Sequence, residues 1–290
     1  MSNVGLIIEE RAANLGNFLV GRLLPFRQKR AVGPFVFIDH MGPTQLKEDQ
    51  NLDVGPHPHI GLSTLTYLFE GSIQHKDSLG NDLEIKPGSV NWMTAGKGVV
   101  HSERTPTYLR TTEKVLHGLQ IWIALPKHLE EIEPNFTHIE AEALPTWTEN
   151  GIDFKLIAGN YKTHQSPVPV YSPLYFLELK TTQDVKFKFG KDLYGESALY
   201  ILQGKVIDEG NLFTEKQLLV AKDHSVCELE IEANTILYLF GGEAFPEEHF
   251  ILWNFVSSSK ERLKQAKEDW MNHRFPLVPN DDDYVPFPNS

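Results

Sequence analysis

Two short motifs in the first half of the chain combine residue types that bind metal ions. Residues 57–59 read His-Pro-His, and residues 101–103 read His-Ser-Glu. In a β-strand, side chains two positions apart point to the same face. Two such strands on one barrel wall could therefore bring His57, His59, His101 and Glu103 to one point. Because a proline lacks an N–H group, the first of these strands is expected at an edge or a bulge.

The spacing alone leaves an ordinary interpretation open. The chain has 12 histidines, and chance alone gives about half of one His-x-His pair in such a composition. The first motif could be an exposed loop beside prolines, and the second an ordinary surface pair. His75 is expected to line a pocket or to be solvated, and His40 to form a structural hydrogen bond. The other histidines stand alone and are interpreted as unrelated to a metal: His117, His128, His138, His164, His224, His249 and His273.

Composition narrows the chemistry that the chain can perform. A single cysteine, Cys227, excludes an internal disulfide and a thiolate-based zinc site, so nitrogen and oxygen must supply any metal ligands. The 27 basic against 39 acidic residues give a net charge of −12. We therefore expect no direct contact with nucleic acid and no binding to anionic membranes. With no membrane-spanning stretch and acidic residues at Glu9 and Glu10, a cytoplasmic protein is expected.

The elements that must position these motifs are predicted to be short strands. Apolar and β-branched runs alternate with turn signals such as Lys86-Pro87-Gly88, which is typical of an all-β sandwich or barrel. One helix is predicted over about residues 257–271, capped by Ser257 or Ser258. The proline-rich and acidic tail that follows is expected to be extended and to pack back on the barrels.

The chain also contains a candidate internal repeat. The segment Tyr67–Ile73 aligns with Tyr200–Val206, 133 residues later. If the repeat is more than a chance likeness of two strands, two β-domains meet near residues 126–150. We predict domains at 1–130 and 146–245 and a helix with tail at 246–290. The same offset places Gly190 and Asp192 at the positions of His57 and His59, and the counterpart of the second motif near residues 232–234, so only the first repeat could hold a metal.

Beyond these patterns, the sequence closely resembles the pirin family, two-domain members of the cupin superfamily. The resemblance is dense from about residue 20 to residue 125, and it implies two tandem cupin barrels of the jelly-roll type. The matching segments are Val32–His40, Pro56–Leu62, Thr66–Gly71, Val90–Gly98, His101–Glu103 and Leu239–Glu243. In pirins one metal ion, usually iron, lies in the N-terminal barrel, and the C-terminal barrel is metal-free. The family's ligands match His57, His59, His101 and Glu103. One departure is Ser63, which stands where many pirins have a glutamate.

The resemblance implies a quercetin 2,3-dioxygenase type of reaction, in which a flavonol and O₂ are the substrates. Fe(II) is the expected metal, because six-coordinate iron with four protein ligands keeps two positions open, whereas four-coordinate zinc would be full. Mn, Ni, Cu, Co and Zn remain alternatives. Because a protonated imidazole cannot bind, affinity is expected to fall below about pH 6. Glu103 is the candidate catalytic base.

Other features of the function stay open at this stage. A small aromatic or enolic substrate would need an apolar slot, for which Phe35, Phe37, Trp92 and Met93 are candidates, although each could be an ordinary core residue. The alternative function is a regulatory protein, similar to a transcription cofactor, whose metal or redox state controls binding of a protein partner without turnover. We expect a monomer.

Overall fold

The computed structural model describes residues 2–14, 18–190, 192–223 and 227–288. These residues form two compact units. The N-terminal barrel unit comprises Ala12–Gly21, Ile38–Ala141 and Pro246–Ser290. The C-terminal barrel unit comprises Met1–Arg11, Arg22–Phe37 and Glu142–Phe245. His224, predicted to have no role in a metal site, lies outside the described residues.

Strands dominate the described part of the chain. The first twelve are β1 (Val4–Glu9), β2 (Arg11–Asn14), β3 (Leu19–Leu24), β4 (Phe35–Leu46), β5 (Asp53–His59), β6 (Leu62–Glu70), β7 (Ile73–Asp77), β8 (Asp82–Ile85), β9 (Val90–Thr94), β10 (Val99–Arg104), β11 (Lys114–Ala124) and β12 (Asn135–Ile139). The next thirteen are β13 (Thr146–Glu149), β14 (Ile152–Tyr161), β15 (His164–Gln165), β16 (Leu174–Thr181), β17 (Val185–Phe189), β18 (Glu196–Gln203), β19 (Lys205–Asp208), β20 (Asn211–Thr214), β21 (Gln217–Ala221), β22 (Cys227–Ile231), β23 (Ile236–Gly242), β24 (Phe250–Leu252) and β25 (Phe255–Ser257). The one α-helix among the described residues, α1, spans Lys260–Met271, and short 3₁₀ turns lie at Thr107–Leu109, Lys127–Leu129 and Ala141–Ala143.

The N-terminal barrel consists of two antiparallel sheets. One has the order β12-β9-β6-β11-β4-β3-β2, and the other has the order β5-β10-β7-β8. The alternating burial of β7, in which Ile73, His75 and Asp77 are buried and the residues between them are partly exposed, shows one face directed into the barrel. Polar as well as apolar side chains therefore occupy this interior.

The C-terminal barrel repeats this topology, except that its edge strand beside β21 comes from the start of the chain and that one short strand is added. Its sheets have the orders β1-β21-β18-β23-β16-β14-β13, with β15 beside β14, and β17-β22-β19-β20. The aligned glycines of the predicted repeat, Gly71 and Gly204, have φ of +88° and +86°. A Cβ would lie 2.2 Å from the Val115 carbonyl oxygen at the first and 2.3 Å from Thr235 Oγ1 at the second. The predicted fold class, two cupin barrels followed by a helix and an extended tail, is confirmed.

The N-terminal residues do not follow the predicted boundary at residues 1–130. Strand β1 pairs antiparallel with β21, with Ile8 opposite Leu218, and forms the edge of the large C-terminal sheet. Ile8 is fully buried there. Residues 1–11 and 22–37 thus belong to the C-terminal unit. An apolar strand can pair with any unpaired sheet edge that accepts its backbone. The local sequence does not specify which edge that is, so it could not predict this boundary.

The C-terminal helix ends where predicted but begins three residues later, at Lys260. Its cap is Ser259, whose side chain accepts a hydrogen bond from the Arg262 N–H, whereas Ser257 donates to Glu130. The buried face of the helix consists of Leu263, Ala266 and Trp270. It packs with Ile60, Val100, Phe255 and Val278 in one apolar cluster of the N-terminal unit. Across the described residues, no helix has the length and apolar character needed to cross a membrane.

Candidate metal centre

Strands β5 and β10 bring three of the predicted residues together. They are antiparallel neighbours, and their register places His101 opposite His57 and Val99 opposite His59. One ligand atom from each of His57, His59 and His101 lies within 4.8 Å of the other two, and Nε2 of His59 is 3.1 Å from Nε2 of His101. All three side chains are buried. Strand β5 is the edge of its sheet, as Pro58 predicts.

Glu103 lies beside this imidazole group and is not part of it. A bulge between His101 and Glu103 interrupts the pairing of β10 with β5. The Glu103 carboxylate accepts a hydrogen bond from Thr66 Oγ1 at 3.2 Å. Burial raises the pKa of this carboxyl, against the opposing effects of His75 and the Thr66 hydrogen bond. Glu103 is therefore the member of the predicted set that most readily holds a proton.

The hydrogen bonds of the imidazoles define which ring nitrogen is free. His57 Nδ1 donates to the Gly55 carbonyl at 2.8 Å, and His59 Nδ1 donates to the Asn254 carbonyl at 3.1 Å. Because a carbonyl oxygen only accepts, each Nδ1 carries the proton, and each Nε2 presents a lone pair. Metal-binding histidines in proteins commonly have this tautomer, fixed by a partner of the second nitrogen.

His101 has the same tautomer for a different reason. His75 Nε2 lies 3.2 Å from the Asp77 carboxylate, which accepts its proton in a hydrogen bond. His75 Nδ1 is then a lone pair, 3.4 Å from His101 Nδ1, which donates to it. His101 Nε2 is left free and faces Nε2 of His59. Two lone pairs so close repel each other unless a cation lies between them, so the arrangement suits a metal ion.

Burial keeps these imidazoles neutral. Removal from water lowers the pKa of His57 to about 4. The pKa values of His59 and His101 lie well below their ordinary value for the same reason, and positive charge on the neighbouring histidines would lower them further. At neutral pH all three can bind a cation without first losing a proton.

The chain Asp77–His75–His101 is the part of the site that sequence reasoning missed. His75 is neither solvated nor a mere lining residue, because it is 2% exposed and bonds directly to His101. Asp77 also accepts hydrogen bonds from Leu79 and Asn81. Burial alone would raise its pKa, but the bonds from His75 and Asn81 lower it overall. The signal was a third same-face triplet, His75-x-Asp77, on β7.

The large sheet contributes side chains that face the imidazoles. Thr66, which bonds Glu103, lies opposite Asn91 in the β6–β9 pairing, so both share the inner face. The Trp122 ring meets the His59 ring edge-on at 5.2 Å, and Phe136 stacks on His75 at 4.7 Å. The buried Asn91 Nδ2 has no hydrogen-bond partner within the described residues.

Only one of the four predicted lining residues lies on this inner face. Met93 pairs with Thr64 and so shares the face of Thr66. Trp92 points to the opposite face. Phe35 packs on Phe176 and Phe240 in the C-terminal unit. Phe37 lies under the Arg22 guanidinium.

Ser63 is also accounted for by its position. It lies on the face opposite Thr64 and Thr66 and donates a hydrogen bond to Thr94 Oγ1 at 3.2 Å. It therefore cannot act as a ligand, and Glu103 is the nearby carboxylate on the inner face.

The C-terminal barrel has no comparable histidines in the strands that correspond to the ligand strands. By sheet order, β5 corresponds to β17 and β10 to β22, which read Val-Lys-Phe-Lys-Phe and Cys-Glu-Leu-Glu-Ile. The counterpart of the second motif is thus within residues 227–231 and not near 232–234, because the connections of the second repeat are shorter.

Two repeated jelly-roll barrels, one with a buried histidine triad able to bind a metal ion, define a bicupin. The Pirin family model matches residues 17–123, and the model of the Pirin C-terminal cupin domain matches residues 176–276. The chain belongs to the pirin family.

Individual relatives support this assignment over nearly the whole chain. A pirin-like protein of Caulobacter vibrioides is 46% identical over 290 residues, covering 98% of this chain and 99% of that protein. A crystal structure of quercetin 2,3-dioxygenase from Acinetobacter baumannii matches with a TM-score of 0.90 and 36% identity, covering 98% of this chain and 95% of the other. The Escherichia coli pirin YhhW, crystallised with nickel(II), shares the fold at a TM-score of 0.65 and 19% identity, covering 82% and 99% of the two chains.

Proposed function

We propose that the protein is a metal-dependent dioxygenase that acts on flavonols, of the quercetin 2,3-dioxygenase type. The observation that carries the proposal is the convergence of three neutral imidazoles, with Nε2 of His59 and His101 only 3.1 Å apart. Likeness to the Acinetobacter quercetin 2,3-dioxygenase supports the reaction class.

The proposed ligands are His57, His59, His101 and Glu103. Three neutral nitrogen donors and one carboxylate suit a divalent first-row metal, and Fe(II) is our assignment because six-coordination would leave room for substrate and O₂. When bound, such a metal would supply positive charge that lowers the pKa of a coordinating substrate hydroxyl.

Glu103 is proposed to accept the proton of the flavonol 3-hydroxyl. Its raised pKa favours proton uptake, and its carboxylate is held by Thr66. Thr66 Oγ1 also lies 2.9 Å from Gln120 Oε1. Once Glu103 is protonated it can donate to Thr66 Oγ1, whose hydroxyl then donates to Gln120. The substrate O–H bond breaks, and its proton is retained on the buried Glu103 carboxyl.

The inner face of the large sheet is proposed to hold the substrate. Met93, Trp122 and Phe136 offer apolar and aromatic surface to a flat ring system. The Asn91 Nδ2 donor, which has no partner in the described part of the chain, suits an oxygen acceptor on that ring.

Metal analysis of the purified protein, combined with O₂ uptake on a panel of flavonols, tests the proposal. We expect about one metal ion per chain and metal-dependent uptake. The variant His59→Ala should lose both metal and uptake. The variant His249→Gln should retain both, although the His249 side chain is only 5% exposed and is bonded to the Leu125 carbonyl. Uptake by metal-stripped protein, or by His59→Ala, would contradict the proposal.

A further inference from the structure

The end of the chain lies along the strands that carry the proposed ligands. After α1, residues 277–288, here called the C-terminal strap, contain one turn at residues 279–280 and no helix or strand. Val278 of the strap is buried in the apolar cluster that includes Trp270 and Phe255. The strap is therefore a packed part of the N-terminal unit.

The strap binds β10 on both sides of Glu103. The Asp281 carboxylate accepts hydrogen bonds from Ser102 Oγ at 2.6 Å, from Arg104 Nε at 2.8 Å and from Arg104 Nη2 at 2.7 Å. Ser102 and Arg104 are the chain neighbours of Glu103, so their side chains point to the outer face while that of Glu103 points inward. The Asp281 side chain is 7% exposed and forms a bidentate ion pair with the Arg104 guanidinium. Bidentate pairs of arginine and carboxylate are among the strongest ion pairs in proteins.

The strap also binds the free edge of β5. The Val285 N–H donates to the Pro56 carbonyl at 3.1 Å, one residue before His57. A Cβ on Gly55, whose carbonyl holds His57 Nδ1, would lie 3.5 Å from the side chains of Asp283 and Val285. The backbone that positions His57 is thus in van der Waals reach of the strap.

A third contact comes from the turn between β24 and β25. The Asn254 carbonyl accepts the Nδ1 proton of His59. The neighbouring Trp253 packs on Phe287 of the strap with ring centroids 5.2 Å apart. The strap is joined to α1 by the Trp270 indole, which donates to the Val285 carbonyl at 3.0 Å. The segment after residue 249 therefore reaches both ligand strands.

We propose that the C-terminal strap is a positioning element of the metal centre, which holds β5 and β10 in the geometry that binds the metal. The inference rests on the proposed metal site. The strap contacts the chain neighbours of His57, His101 and Glu103. Strap docking and metal binding are therefore coupled, and each must favour the other by the same factor.

Two variants of full-length protein test this coupling. Asp281→Asn removes the charge that Arg104 and Ser102 bind, whereas Asp282→Asn removes an equal charge from the neighbouring, exposed residue of the strap. With Ni²⁺ titrated into metal-free protein by calorimetry, we expect about tenfold weaker binding for Asp281→Asn, the effect typical of residues that support ligands indirectly. Asp282→Asn should stay within about twofold of wild type.

A measurement on the wild-type protein tests the same coupling without depending on whether a variant folds. Saturating Ni²⁺ should slow proteolytic cleavage within the strap severalfold relative to metal-free protein. Equal Ni²⁺ affinity of Asp281→Asn and wild type, or a strap cleavage rate that Ni²⁺ does not change, would overturn the inference and leave the metal site standing. A wild-type protein that binds no metal would overturn both.

Discussion

Removal of the His75 side chain is the sharpest test of how the metal centre is built. His75 links Asp77 to His101 through hydrogen bonds of its two ring nitrogens, 3.2 Å from Nε2 to the Asp77 carboxylate and 3.4 Å from Nδ1 to His101 Nδ1. The variant His75→Leu leaves His101 without the acceptor that fixes its tautomer, so its Nε2 is no longer held free for the metal. Loss of such a supporting residue costs about 10- to 100-fold in affinity. Because the contact between His75 Nδ1 and His101 Nδ1 is long, at 3.4 Å, we expect a loss near tenfold, which corresponds to about 1.4 kcal/mol of binding free energy.

The same variant should change stability only modestly. Asp77 keeps hydrogen bonds from the backbone of Leu79 and from Asn81, so its buried carboxylate is not left unsatisfied. The lost hydrogen bonds of His75 cost about 1–2 kcal/mol. A large loss of metal affinity with a small loss of stability therefore distinguishes a positioning role from a structural one.

The assay is Ni²⁺ calorimetry on metal-free protein, with urea unfolding of the same samples and nitrogen-15 NMR of the imidazoles to report the His101 tautomer. His75→Gln should restore most of the affinity, because its amide can accept from His101 and donate to Asp77 as the imidazole does. His249→Leu, another buried histidine of the same unit, is the matched control. Affinity of His75→Leu within twofold of wild type, or no lower than that of His249→Leu, would refute the reasoning.

Four further predictions follow from burial and backbone geometry. Glu103→Gln should keep a metal ion on the three imidazoles while flavonol-dependent O₂ uptake falls about 100-fold or more; unchanged uptake in metal-loaded Glu103→Gln would argue against a proton-accepting role. Because burial lowers the pKa of His57 to about 4, the Ni²⁺ affinity of Glu103→Gln, which lacks the carboxyl whose pKa is raised, should stay nearly constant from pH 8 to about pH 5.5 and fall only below that. An affinity of this variant that falls by pH 6 would show that the histidine ligands have ordinary pKa values. The free energy of unfolding of the metal-free protein should decrease as pH falls from 6.5 towards 4, because the three histidines bind protons in the unfolded chain and not in the folded one. The raised pKa of the Glu103 carboxyl has the opposite effect, but it involves one proton against three. Urea unfolding that shows higher stability at pH 5 than at pH 7 would contradict this prediction. Gly61→Ala should destabilise the fold by more than about 2 kcal/mol in thermal unfolding, because φ is +67° and a Cβ would lie 2.0 Å from the Val256 carbonyl oxygen. Gly80→Ala is the control: its φ is +92° but the space around it is open, so it should cost only about 1 kcal/mol.

The histidine triad could be predicted because its ligands lie in two short motifs, each contained within a single strand. The two-residue period of a strand already places His57 and His59 on one side. The role of His75 could not, because it depends on the pairing of β7 with β10, which puts His75 opposite Glu103 and Asp77 opposite His101. These partners are 24 or more residues apart, and nothing in either segment specifies that register.

The predicted lining residues failed for a related reason. Apolar residues near a motif indicate burial, but they do not indicate which face of a strand or which of two similar barrels receives the side chain. Phe35 is buried as expected, yet it belongs to the core of the other unit. The expected fall of metal affinity near pH 6 likewise assumed solvated histidines, whereas enclosure lowers their pKa values.

The second barrel shows what the fold does without this cluster. At the junction of β17 and β22 it pairs Phe187 with Leu229, and these side chains join one continuous apolar core with Ile231. In the first barrel the corresponding junction buries His57 and His101 as neutral imidazoles, each with a strongly lowered pKa. Buried polar groups add less stability than an apolar core of similar volume. Because the same topology is stable with an apolar interior, the fold does not require the imidazoles, and a binding or catalytic role is the physical reason to keep them there.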